Sequence, residues 1–284
     1  MLINSGVPEG APTPRLVHVT PEIAEGLLSR AVVNRRLDWG QVDFLADSII
    51  RGEWQLTHQG IALDGSLETG FLLDGQHRLN AIIKAGVPVW IYVFEGLPGT
   101  AFPVLDTGKR RSGVDTLSST GEKYLPLLHS TIRHVLLFKN MPDSLWSGNR
   151  ARIANGRILA AYSEDSDMYR ESVVTGRNIS KHVFASQTAV AVGYFVTTEA
   201  APAAKAVSWI EGLTSGANLE LGDPRLALLK VPHMQKRGLK RRYSMREQVA
   251  MYIKAWNAWV REEKIDNLRF KRTEKMPIPV EVKF

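Results

Sequence analysis

The chain of 284 residues contains no cysteine. Disulfides, thiolate nucleophiles and cysteine-ligated zinc or iron–sulfur centres are therefore excluded. No apolar run approaches the roughly eighteen residues that a membrane-spanning helix needs, and residues 1–14 lack the apolar core of a signal peptide. The expectation is a soluble, cytoplasmic protein with no membrane partner. A Gly-x-x-x-x-Gly-Lys-Ser/Thr phosphate loop is absent, and the sequence shows no internal repeat, low-complexity tract or helix-turn-helix. A hydrophobic content of 44% and a charged content of 23% are ordinary globular values. The length suits one large or two modest domains.

Acidic residues are scarce only towards the end. Residues 225–284 hold 16 Lys or Arg against 6 Asp or Glu, a net +10, whereas the preceding residues come to −3. Concentrated positive charge favours nucleic acid through counterion release, although an acidic protein or membrane surface attracts it too. The densest part is Lys236, Arg237, Lys240, Arg241 and Arg242. These five are the candidate DNA-phosphate contacts; the alternative is a solvated loop.

The most informative stretch is 71–94, which reads as strand, turn, helix and strand. Residues 71–73 are apolar, and Gly75 permits the positive φ with which the chain can turn into a helix at once. That helix is expected from about Gln76 to Ala85, with Leu79, Ile82 and Ile83 on its buried side. Gly86 caps it and Pro88 prevents continuation. A strand over 89–94 follows. Gly75, Gln76, His77 and Arg78 occupy the helix N-terminus, where backbone amides and the helix dipole favour an anion and the Arg78 fork suits phosphate. The bland alternative makes Asp74 a cap, His77 a surface histidine and Arg78 a solvated charge.

Before this stretch the sequence predicts a strand at 16–19, a helix capped by Thr20 with Pro21 at its first position, and a helix over 38–51. Short extended pieces are expected at 54–56 and 60–63, with Asp64-Gly65 as a hairpin signal. Arg35 and Arg36 lie between the two helices, as a second phosphate contact or as solvated linker cations. After 94, a buried segment is expected at 102–105. Asp106, Thr107, Lys109 and Arg110 then form a loop able to hold a metal–phosphate unit through Asp106, or simply a basic turn capping the next helix. From Ser112 the periodicity is helical: over 125–138, 153–161, 186–195, 200–212, 224–229 and 245–261. Ser244 and Glu247 fit a capping box. His129 and His134, five residues apart, read as structural rather than as metal ligands. Residues 268–284 are expected to lie extended over the body.

Asp74-Gly-Gln-His-Arg-Leu-Asn-Ala81 after an apolar strand resembles the nucleotide-binding box of the ParB/sulfiredoxin superfamily, whose members carry Gly-Glu-Arg-Arg-x-x-Ala or Gly-Gly-Cys-His-Arg there. The likeness extends to Asn34-Arg-Arg-Leu37 and Phe102-Pro-Val-Leu-Asp-Thr-Gly-Lys-Arg110, covering about the first 120 residues. It implies an α+β chain. A small mixed sheet with flanking helices (residues 1–117) would bind a nucleoside triphosphate, ATP or CTP, with Mg2+, and a mostly helical domain (118–284) would carry the basic segment. It also implies that Arg35, Arg36, Lys109 and Arg110 close over phosphates held at Gly75 to Arg78. Gln76 stands where sulfiredoxins carry their cysteine, so their chemistry is excluded.

Three classes of function follow. The first is a ParB-like nucleotide-binding protein that acts on or regulates DNA. The second is a phosphotransferase acting on a modified DNA base or a small hydroxyl acceptor, with Asp38, Asp74, Asp106 or His77 as candidate metal-positioning or proton-accepting groups. The third is a ParB-like nuclease or a non-catalytic partner-binding protein.

Overall fold

The computed structural model describes residues 11–31, 37–100, 112–148, 151–183, 185–216, 219–236 and 243–282. The chain divides into two compact units, Met1–Arg110 and Arg111–Phe284. It is a mixed α+β protein with, among the described residues, eleven α-helices and one four-stranded sheet. No described helix is long and apolar enough to cross a membrane.

The first unit contains the sheet. Its strands β1 (Thr13–Val19), β2 (Ile61–Leu63), β3 (Leu72–Asp74) and β4 (Val89–Glu95) are ordered β1-β4-β2-β3. β4 pairs antiparallel with β1 and parallel with β2, and β2 pairs antiparallel with β3. Helices α1 (Pro21–Leu28), α2 (Trp39–Ile50) and α3 (Gln76–Ala85) supply the other half of the core. Because side chains alternate along a strand, Val17, Val19, Ile91 and Val93 face Leu27, Val42, Ile49, Leu79 and Ile82 in this core. His18 and Trp90 take the opposite face, where their rings stack with centroids 4.8 Å apart.

Local chemistry accounts for the element ends. Thr20 caps α1 through Ile23 N, with proline in the first turn, as its sequence predicts. Gly86, at φ 64°, ends α3. Residues 54–56 form no strand, contrary to expectation. Instead Trp54 donates its indole N–H to Trp90 O at 3.0 Å. Asp64-Gly65 does lie in the hairpin that joins β2 to β3, though not as a two-residue turn. It opens a longer loop in which Asp64 Oδ1 accepts from Phe71 N at 2.6 Å, and Arg30 donates to Leu67 O and Gly70 O at 2.7 and 2.9 Å. The expected buried segment at 102–105 lies outside the described residues.

The second unit is helical: α4 (Gly113–Leu117), α5 (Leu125–Asn140), α6 (Asn155–Glu164), α7 (Ser166–Ile179), α8 (Gln187–Thr198), α9 (Ala203–Ser215), α10 (Pro224–Lys236) and α11 (Met245–Val260). α4 belongs here, with Leu117 in the unit's core. The middle helix is α8, buried at every residue from Thr188 to Thr197 and packed on α5, α7 and α11. The Ser244–Glu247 capping box starts α11. Tyr252 and Trp256 of α11 are fully buried around Trp209, whose indole N–H donates to Tyr252 Oη at 2.8 Å. Beyond α11 the chain runs back without regular structure, as its sequence suggests. Arg246, 5% exposed, ties this return segment down by donating to Pro142 O, Arg272 O and Glu274 O.

Candidate functional site

The candidate site is the junction of β3 and α3. β3 ends at Asp74, Gly75 follows at φ 118° and ψ 2°, and Gln76 begins the helix. Two constraints require glycine. The dihedral is one that L side chains rarely adopt, and a Cβ would lie 3.1 Å from Ile61 Cγ1 and 3.4 Å from Ile61 Cα on the neighbouring strand. Because glycine has no polar side chain, no side-chain cap covers the start of α3. The positive end of the helix dipole is therefore left for another group.

Arg78, one turn into α3, reaches back over this junction. Its Nη2 donates to Gly60 O at 2.7 Å and to Asp74 Oδ2 at 2.8 Å. Its Nε is buried without a hydrogen-bond partner. Arg78 thus braces the entry to β2 against the end of β3 while one guanidinium donor remains unused. An orphaned buried donor costs about 1–3 kcal/mol. Such a group is satisfied by a small repacking around an incoming acceptor or water.

A second contact joins α2 to the same turn. The Asp38 backbone N–H donates to His77 Nε2 at 3.0 Å. Since Nε2 accepts, the imidazole is neutral with its proton on Nδ1. Asp38 Oδ1 meanwhile accepts from Gly40 N and Gln41 N at 3.0 and 3.3 Å, capping α2. Trp39, the first residue of α2, is 61% exposed directly beside this contact. His77 is thereby a latch between the two helix starts, with the lone pair of Nε2 already engaged, and Asp38 is a cap with one oxygen committed.

The structure accordingly brings Asp38 together with His77, and Asp74 with Arg78, around Gly75 and Gln76. Arg35, Arg36, Asp106, Thr107, Lys109 and Arg110 lie outside the described residues, as do Arg237, Lys240, Arg241 and Arg242. Lys236 is the last residue of α10. Among the described residues no three His, Asp or Glu side chains gather as a metal site. His134 is not a ligand: its Nδ1–H donates to Ser130 O at 2.7 Å, and its Nε2 accepts from Arg133 Nη1 at 3.0 Å. Burial holds its pKa down to about 4.

Sequence reasoning overlooked one residue that shapes the junction. Gly60 offers its carbonyl to Arg78, and a Cβ there would stand 2.1 Å from Tyr92 O. Its only sequence signal is a glycine ahead of an apolar strand. No family model, curated protein or solved structure matches this chain.

Proposed function

We propose that the first unit is a nucleoside-triphosphate-binding module of the ParB/sulfiredoxin type and that the protein acts on or regulates DNA. The observation that carries this reading is the passage of β3 through a positive-φ glycine into a helix with no side-chain cap. That arrangement leaves the helix start without a side-chain cap, which suits a phosphate. Arg78, anchored by Asp74 and Gly60 and retaining an unpaired Nε, supports it as the cation at that start. Arg35, Arg36, Thr107, Lys109 and Arg110 complete the proposed cover over the phosphates, with Asp106 meeting a Mg2+ ion. The +10 charge of residues 225–284 supplies the DNA contacts.

Binding is favoured over phosphoryl transfer because the described carboxylates are already engaged. Asp38 Oδ1 is held by two amides and Asp74 Oδ2 by Arg78, so each carboxylate already has a structural task. Thermal unfolding of the full chain with ATP, CTP and GTP, each with and without Mg2+, tests the reading. A ligand present at a hundred times its dissociation constant stabilises by about 2.7 kcal/mol, which raises the melting temperature by several degrees. The expected result is such a rise with at least one triphosphate; no rise with any of them overturns the reading.

A further inference from the structure

A cleft of about 460 Å³ opens in the second unit between the last turns of α11 and the segment that runs back from it. This is within the size range of small-molecule sites. Its frame is fixed by hydrogen bonds. Asn257 donates to Ile278 O at 2.8 Å and accepts from Val280 N at 2.9 Å, and Lys254 Nζ donates to Arg269 O at 2.9 Å and to Glu274 Oε2 at 2.5 Å. The polar groups of Asn257 and Lys254 are thus committed to holding the segment against the helix. Ala258 and Leu268 give the cleft an apolar floor.

Two other cations in the lining have no such duty. Arg261, just past the end of α11, and Arg269, on the returning segment, are both exposed, and neither forms an ion pair among the described residues. Glu263 is the one acidic residue in the lining, against Lys254, Arg261 and Arg269. With Lys254 neutralised by Glu274, the cleft keeps a net positive charge carried by two guanidinium forks. Their planar donors match the oxygens of a phosphate.

The two guanidinium forks act beside the negative end of α11, whose field they outweigh only through their full charges. Three of the helix's end carbonyls accept hydrogen bonds: Asn257 O from Arg261 N, Trp259 O from Glu262 N and Ala258 O from Glu263 N, at 3.1, 3.2 and 2.9 Å. The turn that produces this pattern places Glu262 at φ 58°, in the region that glycine normally fills at a helix end. Arg261 and Glu263, on either side of Glu262, both line the cleft.

We propose that this cleft binds a phosphate-bearing ligand, with the phosphate between Arg261 and Arg269 and its organic part over Ala258 and Leu268. The phosphate is that of a free ester or of a nucleic-acid backbone. The inference does not depend on the nucleotide site of the first unit. Calorimetric titration of the full chain with inorganic phosphate, a nucleoside monophosphate and a short oligothymidylate tests it, comparing the parent with Arg261→Gln, Arg269→Gln and the double variant. The expected result is saturable binding to the parent, a smaller affinity in each single variant and a loss of tenfold or more in the double variant. Oligothymidylate binding that is tighter than the monophosphate's and falls steeply with salt assigns the backbone as the source. Equal affinities assign a free ester. The exposed positions of both arginines make an unchanged melting temperature the expected control, and the single variants decide the matter if the double variant is unstable. Undiminished affinity in all three variants, or no binding of any probe to the parent, overturns the proposal.

Discussion

At the scale of single residues, His134 shows how surroundings decide a charge state. Its ring sits in the second unit's interior with Nδ1–H bound to a carbonyl and Nε2 facing the Arg133 guanidinium. Protonation would put an N–H where a donor already points and a second positive charge beside the first. Burial is the larger cause and holds the pKa down to about 4 from the ordinary 6.5. The folded state therefore prefers neutral His134 more than the unfolded chain does. Its contribution is complete above about pH 6.5 and is lost progressively as pH falls towards 4, amounting to roughly 3 kcal/mol. Denaturant unfolding at pH 7.5, 5.5 and 4.5 should show that decline, shallower in His134→Gln; parallel declines in both proteins would contradict it. Asp74 offers a second test. As the partner of Arg78 at the proposed phosphate site, it repels an anion, so Asp74→Asn should tighten triphosphate binding measured without Mg2+ by about 1 kcal/mol. Weaker binding in that assay would show that Asp74 serves mainly to aim Arg78. The glycine at 75 was readable from the sequence because strand, glycine and helical periodicity follow one another. The engagement of Arg78 with Gly60 was not, since contacts between residues distant in sequence carry no local pattern.

At the scale of elements, the helices fall into those whose apolar faces announce them and those whose packing depends on small residues. α11 belongs to the first kind: Val249, Tyr252, Ile253 and Trp256 recur at helical spacing and are all fully buried. α7 belongs to the second and was not foreseen. Its buried side is Tyr169, Ser172, Val173, Gly176 and Ile179, in which serine and glycine interrupt the apolar stripe. They stand there because α8 approaches closely; a Cβ on Gly176 would lie 2.5 Å from Gln187 O. Gly193 of α8 plays the same part towards α11, where an added Cβ would meet the Tyr252 ring at 2.5 Å. Gly193→Ala should destabilise the protein by about 1–3 kcal/mol through overpacking, because Tyr252 is fully buried and has no room to retreat. Denaturant unfolding checks this. A variant as stable as the parent would mean that the α8–α11 contact is looser than described. Ends of elements were more legible than packing, since Thr20, Gly86 and the Ser244–Glu247 box act through local hydrogen bonds and dihedrals.

At the scale of the whole molecule, the chain comprises a sheet-bearing unit, whose β3–α3 junction is the proposed phosphate site, and a helical unit that carries the excess positive charge. A change to helical periodicity after Ser112 was visible in the sequence, although the domain boundary was expected at 117 and the compact units divide at 110/111. The loop at 64–71 and the course of the residues after α11 are fixed by contacts with distant segments, Arg30 in the first case and Arg246 and Asn257 in the second. No propensity encodes such contacts. The central claim is that phosphates bind at the start of α3, and amide hydrogen exchange of the full chain with and without a nucleoside triphosphate and Mg2+ tests it most directly. The account predicts that saturating nucleotide slows exchange in residues 74–79 and at the start of α2, where Asp38 meets His77. Unchanged exchange over 74–79, with protection confined to other segments, would contradict it.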